Sequence, residues 1–172
     1  GVITFRDPFS NLKVGEHLSS DLSGRTFWDA AGVHGKKVCV LFPHLGYPVW
    51  QVNGVMVGRT TEVDIREYDL QTYPAELARE IDFDGLRPMS SFPLDLADLV
   101  EPTKELIRRE VRAGLELSKR KEWDLLFIYF SSLDNIQHLF WMYYDDLYGN
   151  AGEKLKGVIP DFYQFYDREV IG

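Results

Sequence analysis

Residues 124–130, DLLFIYF, form a short and almost uninterrupted apolar run that follows a long charged segment. A run of this length and composition is typical of a strand that is buried on both faces of a parallel sheet. A second apolar run, at residues 38–42, predicts another buried strand. Residues 101–123 lie between the two runs and have the amphipathic pattern of a long helix. This order of elements predicts an α/β layered fold, in which sites gather at the carboxyl ends of the strands.

Turn and cap residues predict several further elements. A helix is expected from about Thr26 to the glycines at 32–35, and another in the segment TYPAELAREID at 72–82. Asn53-Gly54 indicates a short hairpin, and the tail from Ile159 has a helical pattern. Residues 1–24 have few apolar positions and are expected to be irregular. The apolar face of the long helix is predicted to consist of four residues: Leu106, Val111, Leu115 and Leu117.

Composition excludes several classes of function. The chain has 172 residues, enough for one domain with a real core. Its net charge of −8 argues against binding to a nucleic-acid polymer but favours metal cations. The single cysteine, Cys39, excludes an intramolecular disulfide framework. The sequence has no apolar run long enough for a membrane span and no signal-peptide pattern, so a soluble, cytoplasmic protein is expected.

The segment SSLDNIQH, at residues 131–138, directly follows the second predicted strand. If Ser131 or Ser132 caps a helix here, Asp134 lies in its first turn and His138 one turn later. A carboxylate and an imidazole on one helical face can bind the same metal ion, although a catalytic zinc needs about three protein ligands. The alternative is an ordinary helix start that contains a packed or exposed histidine.

The other three histidines are weaker candidates. His17 and His34 are expected to be solvent-exposed loop or helix-end residues. His44 follows a predicted strand and stands next to a proline, which suggests a site but is also common in structural loops.

The segment WDLLFIYFSSLDNIQHLFWMYYDD, at residues 123–146, resembles the type I phosphodiesterase and nucleotide pyrophosphatase branch of the alkaline phosphatase superfamily. Three upstream segments agree with it in order and spacing: TFWDAAGVHGKKVCVL, YPVWQVNGVMVG and TYPAELAREI. The resemblance covers the chain from about Arg25 to its end. It implies a partial three-layer α/β/α sandwich of the alkaline phosphatase type.

The resemblance also implies a chemistry. Asp134 and His138 would be two ligands of one ion in a site of two divalent metal ions, with zinc expected and manganese as the alternative. The substrate would be a small-molecule phosphodiester or a nucleotide, and the nucleophile a threonine or serine. Thr26, Thr60 and Thr61 lie in the wrong sequence contexts for that nucleophile, so no catalytic residue is assigned.

Other parts of the family pattern are missing or altered. The later Asp-His-Gly ligand pair and a final histidine ligand are missing, and the family's proline and TYP loop is replaced by PHLGYP at 43–48. Residues 1–172 are therefore expected to be an interior fragment of a single catalytic domain, with a loop-rich, cap-like region at 58–101. This fragment is expected to be inactive alone and to form homo-oligomers through an uncovered sheet edge or apolar patch.

Two alternatives remain open at this point. The intact protein could be a phosphomutase, a phosphonate hydrolase or a sulfatase relative within the same superfamily. The chain could also be a non-catalytic α/β interaction module in which Asp134 and His138 are structural.

Overall fold

The structure is a computed structural model of the protein, and the residues it describes are 19, 22–60, 70–81, 83, 86, 95–120, 122–145 and 149–172. The chain divides into two compact units. The first, called the sheet unit, falls within Gly1–Asp84 and Ala113–Tyr129, and the second, called the helical unit, falls within Gly85–Arg112 and Phe130–Gly172. Most of the predicted irregular stretch at 1–24 lies outside the described residues.

Among the described residues, the sheet unit has four strands: β1 (Val38–Leu41), β2 (Gly54–Arg59), β3 (Leu70–Tyr73) and β4 (Leu125–Ile128). Their order in the sheet is β3-β2-β1-β4. β1 pairs in parallel with both β2 and β4, whereas β2 and β3 are antiparallel. The carboxyl ends of the three parallel strands therefore meet at one edge of the sheet, which we call the carboxyl edge, and their amino ends meet at the opposite, amino edge.

Helices cover both faces of this sheet. Helix α1 (Phe27–Val33) follows its N-cap residue Thr26, which agrees with the predicted start at about Thr26, and Thr26 forms a capping box with Asp29. Trp28 of α1 is buried against Val38 and Val40 on one face. On the other face, the backbone of α2 (Val100–Arg120) packs closely at Gly114, where a Cβ atom would lie 2.5 Å from the Ile128 side chain and 3.7 Å from that of Leu41. The predicted α/β layered class is confirmed.

The prediction for the last strand is wrong in part. The apolar run at 124–130 yields a strand only from Leu125 to Ile128, and this strand is the outermost one of the described sheet instead of a central one. Consequently 43% of Leu126 is exposed, and β4 is not buried on both faces. The best-buried strand is β1, which has neighbours on both sides. The apolar run alone could not show whether the strand is central or outermost in the sheet.

Two further expectations are corrected. Asn53-Gly54 does not form a hairpin turn, because β2 begins at Gly54 and runs parallel to β1. A Cβ atom at Gly54 would lie 1.9 Å from the carbonyl oxygen of Val38, so this glycine allows close strand pairing. The segment 72–82 is not one helix: Thr72 and Tyr73 belong to β3, and a short 3₁₀ helix follows at Ala75–Arg79.

The helical unit is built from the first part of α2 together with α3 (Ser131–Tyr144) and α4 (Val158–Tyr166). Short 3₁₀ helices lie at Leu96–Leu99 and Gly149–Leu155, and a π-helical turn at Asp167–Ile171 ends the tail, as the helical pattern from Ile159 predicts. The three main helices share a buried apolar core: Ile107, Ile136, Phe140, Ile159, Phe162 and Phe165.

The apolar face of α2 is predicted only in part. Leu117 is buried as expected, but 53% of Leu115 is exposed, whereas Ile107 and Ala113 are buried instead. Among the described residues, no helix combines the length and apolar content that a membrane span requires.

Candidate functional site

Helix α3 begins three residues after β4 ends. The predicted serine cap is wrong, because the N-cap residue is Phe130, which has an extended backbone (φ −99°, ψ 93°) and makes no side-chain cap hydrogen bond. Ser131 and Ser132 are therefore the first two helical residues, and Ser132 is buried. Asp134 remains in the first turn, where the positive end of the helix dipole favours a negative charge.

Asp134 and His138 lie on one face of α3, as their four-residue spacing predicts. The distance from His138 Nε2 to Asp134 Oδ1 is 3.4 Å. Solvent reaches 76% of the His138 side chain and 47% of the Asp134 side chain. Both groups are therefore accessible to a ligand from solution, and His138 is not packed into the apolar core.

The opposite face of α3 fixes the direction in which this pair points. Ile136 and Phe140, one turn apart, are buried in the core of the helical unit. Burying a side chain of this kind contributes on the order of 1.5–3 kcal/mol, so a rotation of α3 about its axis would be costly. A hydrogen bond from the Gln137 side-chain amide to the Tyr163 hydroxyl joins α3 to α4. The exposed pair is held on a rigid element.

The donor set fits part of a divalent-metal site. A carboxylate oxygen and an imidazole nitrogen are ordinary ligands of zinc and manganese. In the part of the chain that the structure describes, no group of three or more histidine, cysteine, aspartate or glutamate side chains is arranged to hold a metal ion. The pair supplies fewer protein ligands than the three or so that a catalytic zinc uses.

Comparison with known proteins identifies the family. Residues 1–170 match the family described as type I phosphodiesterase / nucleotide pyrophosphatase. The chain belongs to this family. Neither a search of curated proteins nor a search of solved structures found a match. Membership of the type I phosphodiesterase family places the chain among phosphoryl-transfer hydrolases and confirms the resemblance inferred from the sequence.

Of the three threonines set aside as nucleophiles, Thr26 has a structural role. The Thr26 hydroxyl donates to Asp29 Oδ2 at 2.8 Å and accepts from the Asp29 amide at 3.2 Å, so it serves the helix cap. Thr60 directly follows β2, and Thr61 lies outside the described residues. Cys39 is also unsuited to nucleophilic attack, because burial raises the pKa of its thiol to about 12.

Two of the remaining histidines lie at opposite edges of the sheet unit. His34 is the C-cap residue of α1 and is exposed, as predicted, near the amino edge where the chain leads into β1. His17 lies outside the described residues. His44 is exposed at the carboxyl edge, with its ring centroid 6.0 Å from that of Tyr129. The prolines and glycine of the segment PHLGYP indicate a turn in the sequence, but not the left-handed backbone of Leu45 (φ +58°).

Proposed function

We propose that the intact protein is a metal-dependent phosphohydrolase that cleaves phosphodiester or nucleotide pyrophosphate bonds. Asp134 and His138 bind one of its two divalent ions, with zinc expected and manganese as the alternative. The observation that carries this proposal is the exposed pair, 3.4 Å apart, on a helix of a chain that belongs to the type I phosphodiesterase family.

Each residue of the pair has a separate task. The neutral imidazole of His138 offers the Nε2 lone pair, while the Asp134 carboxylate adds a negative charge that offsets part of the charge of the ion. When bound, the divalent ions supply electrostatic stabilisation to the phosphoryl group and its attacking and leaving oxygens.

The buried face of α3 supports the proposal because it prepares the pair in advance. Ile136 and Phe140 anchor the helix, so both ligand side chains project from a backbone that need not reorder on binding. Ligands held on rigid elements keep a metal geometry more accurately than ligands on loops.

The rest of the site is proposed to lie outside this chain. A threonine or serine nucleophile and the ligands of the second ion belong to other parts of a catalytic domain of which residues 1–172 are an interior fragment. The chain alone is then catalytically silent. Its homo-oligomers would form through the outer edge of β4, where Leu126 is exposed, because an open strand edge invites pairing.

The test is kinetic and uses the full-length protein with a nitrophenyl phosphodiester and added zinc or manganese. His138→Ala should lower kcat/KM by more than about 100-fold, since losing even the partner of a metal ligand commonly costs 10–100-fold. Asn135→Ala is the matched control, because Asn135 is exposed on the same helix next to Asp134. It should keep at least half of the wild-type value.

Each other outcome has a definite meaning. Undiminished activity of His138→Ala would remove the pair from the site. Strong metal-dependent turnover by residues 1–172 alone would contradict the fragment proposal. Preference for sulfate or phosphonate esters would favour another branch of the superfamily. Absence of turnover on all these esters by the full-length protein would favour an interaction module.

A further inference from the structure

His44 stands on a tight turn at the carboxyl edge of the sheet unit. The Gly46 amide donates to the Pro43 carbonyl oxygen at 3.0 Å, which closes a β-turn with His44 and Leu45 at its centre. The turn follows β1, the strand that pairs in parallel with a neighbour on each side. His44 is exposed at this turn, whereas Pro43 and Gly46 at its two ends are buried.

The backbone of the turn is strained. Leu45 has φ +58°, a conformation that glycine or asparagine normally provides at this position of a turn. Phe42, just before the turn, has φ +55°. Among the described residues these two are the non-glycine residues with positive φ, and they flank His44 on both sides. Residues with a side chain rarely adopt this conformation, because the Cβ atom comes too close to the following carbonyl oxygen.

Tight packing maintains this strain. The Phe42 amide donates to the Val57 carbonyl oxygen at 2.7 Å, and the Arg59 guanidinium lies 4.8 Å from the centre of the Phe42 ring. The turn also rests on β2, since a Cβ atom at Gly58 would lie 2.0 Å from the Gly46 carbonyl oxygen. Strained backbone of this kind persists where the surrounding structure over-determines it, and it concentrates at functional sites.

The chemistry of the surroundings suits an anion. The imidazole of His44 offers an N–H donor to solvent, and its ring meets the Tyr129 ring edge-on at 6.0 Å, which restricts its orientation. Arg59, at the end of β2, is buried and its guanidinium lies over the Phe42 ring, so this basic side chain supports the turn at the same edge. In open α/β sheets, ligands bind outside the carboxyl ends of the strands.

We propose that His44 is a phosphate-binding residue of the sheet unit, whose imidazole donates a hydrogen bond to a nonbridging phosphate oxygen of a phosphate-ester ligand. This inference rests on the proposed function, because it takes the substrate to be a phosphate ester. It assigns to the sheet unit a phosphate contact separate from the Asp134 and His138 pair. The tight packing of the turn holds the imidazole in place before the substrate arrives.

The first experiment measures binding without turnover. The full-length protein with isotope-labelled histidine is titrated with inorganic phosphate, and with sodium chloride at matched ionic strength, while the imidazole resonances are followed by NMR. The His44 resonance, assigned with His44→Gln, should shift saturably with phosphate and not with chloride. The His34 resonance, from an exposed histidine near the amino edge, should not shift. An unmoved His44 resonance would overturn the proposal.

The second experiment separates binding from chemistry. His44→Ala should raise KM for the nitrophenyl phosphodiester by about 10- to 100-fold, as expected for losing a hydrogen bond to a charged group. His34→Ala should leave KM within about twofold, as expected for a surface substitution away from the substrate. Gly46→Ala should raise KM while the imidazole is still present, because the new Cβ would lie 2.4 Å from the Pro43 ring and displace the turn.

The outcomes separate this inference from the proposed function. Normal KM in a folded His44→Ala variant overturns the role of His44 and leaves the proposed function intact. Absence of turnover by the wild-type protein overturns the proposed function, and the phosphate titration then decides about His44 by itself. If Gly46→Ala fails to fold, as judged by its thermal transition, His44→Ala alone decides.

Discussion

The two histidines proposed to act in this protein are held in opposite ways. His138 projects from the middle of a regular helix, and the opposite face of that helix is buried in the core of the helical unit. His44 stands on a turn of the sheet unit between two residues with left-handed backbone. Apolar burial fixes the position of the helix, whereas tight contacts hold the turn in place against its local strain. The two supports should therefore fail in different ways when they are altered.

Disrupting the buried face of α3 should give the largest loss of stability. Phe140→Ala removes a fully buried ring from the core of the helical unit and should lower the free energy of unfolding by about 3–5 kcal/mol. Trp141→Ala, at the neighbouring exposed position, should change it by no more than about 0.5 kcal/mol. Urea denaturation of both variants measures the difference. Equal losses would mean that the face of α3 is misassigned.

Disrupting the contacts that hold the turn should cost less stability and should change mainly the surroundings of His44. Gly58→Ala places a Cβ atom 2.0 Å from the Gly46 carbonyl oxygen and 2.7 Å from the Val49 side chain, so the turn must move. The free energy of unfolding should fall by about 1–3 kcal/mol. The His44 resonance should shift while that of His138 stays unchanged. Gly157→Ala is a suitable control, since its new Cβ would meet only ordinary contacts. A Gly58→Ala variant with wild-type stability would contradict the described packing of the turn.

At the amino edge of the same sheet, Asp124 makes contacts without backbone strain. Removing these contacts should have the smallest effect on stability. The Lys37 amide, at 2.8 Å, and then the Lys36 ammonium, at 3.0 Å, donate to Asp124 and lower the pKa of its carboxyl. A lowered pKa in the folded state stabilises the protein above the unfolded pKa near 3.8, and this contribution is lost as the pH falls through the folded value.

Substituting Asp124 tests whether these hydrogen bonds contribute to stability. Asp124→Asn should reduce stability slightly at pH 7 and should lose less stability than the wild type on acidification below about pH 4. Thermal unfolding at pH 7 and pH 3 measures both effects. Because the carboxyl is exposed, the difference at pH 7 should shrink in high salt. Parallel acid profiles for the two proteins would mean that these hydrogen bonds do not affect stability.

The sequence predicts the helix-based pair better than the turn-based histidine, and the reason is physical. Four-residue spacing determines which side chains share a helical face, so Asp134 and His138 could be paired without a structure. The same local logic predicts the start of α1 at Thr26. No local rule predicts a left-handed Leu45, because bulky residues avoid that conformation unless their surroundings impose it.

The errors in the predicted fold have the same origin. The apolar run before α3 indicates a strand but not its place in the sheet, so the exposure of Leu126 could not be foreseen. Asn53-Gly54 fits a hairpin turn locally, yet Gly54 serves close pairing with Val38. Leu115 lies on the apolar side of an isolated helix pattern, but the partners of α2 select Ile107 and Ala113. In each case tertiary contacts decide what the local pattern leaves open.

The central claim is that Asp134 and His138 bind a divalent ion together. The most direct measurement is anomalous X-ray scattering at the zinc edge from crystals of the full-length protein grown with zinc. The account predicts a peak within about 2.3 Å of both His138 Nε2 and an Asp134 carboxylate oxygen, and its loss in His138→Ala. No peak between these atoms, or one that persists in His138→Ala, would contradict it.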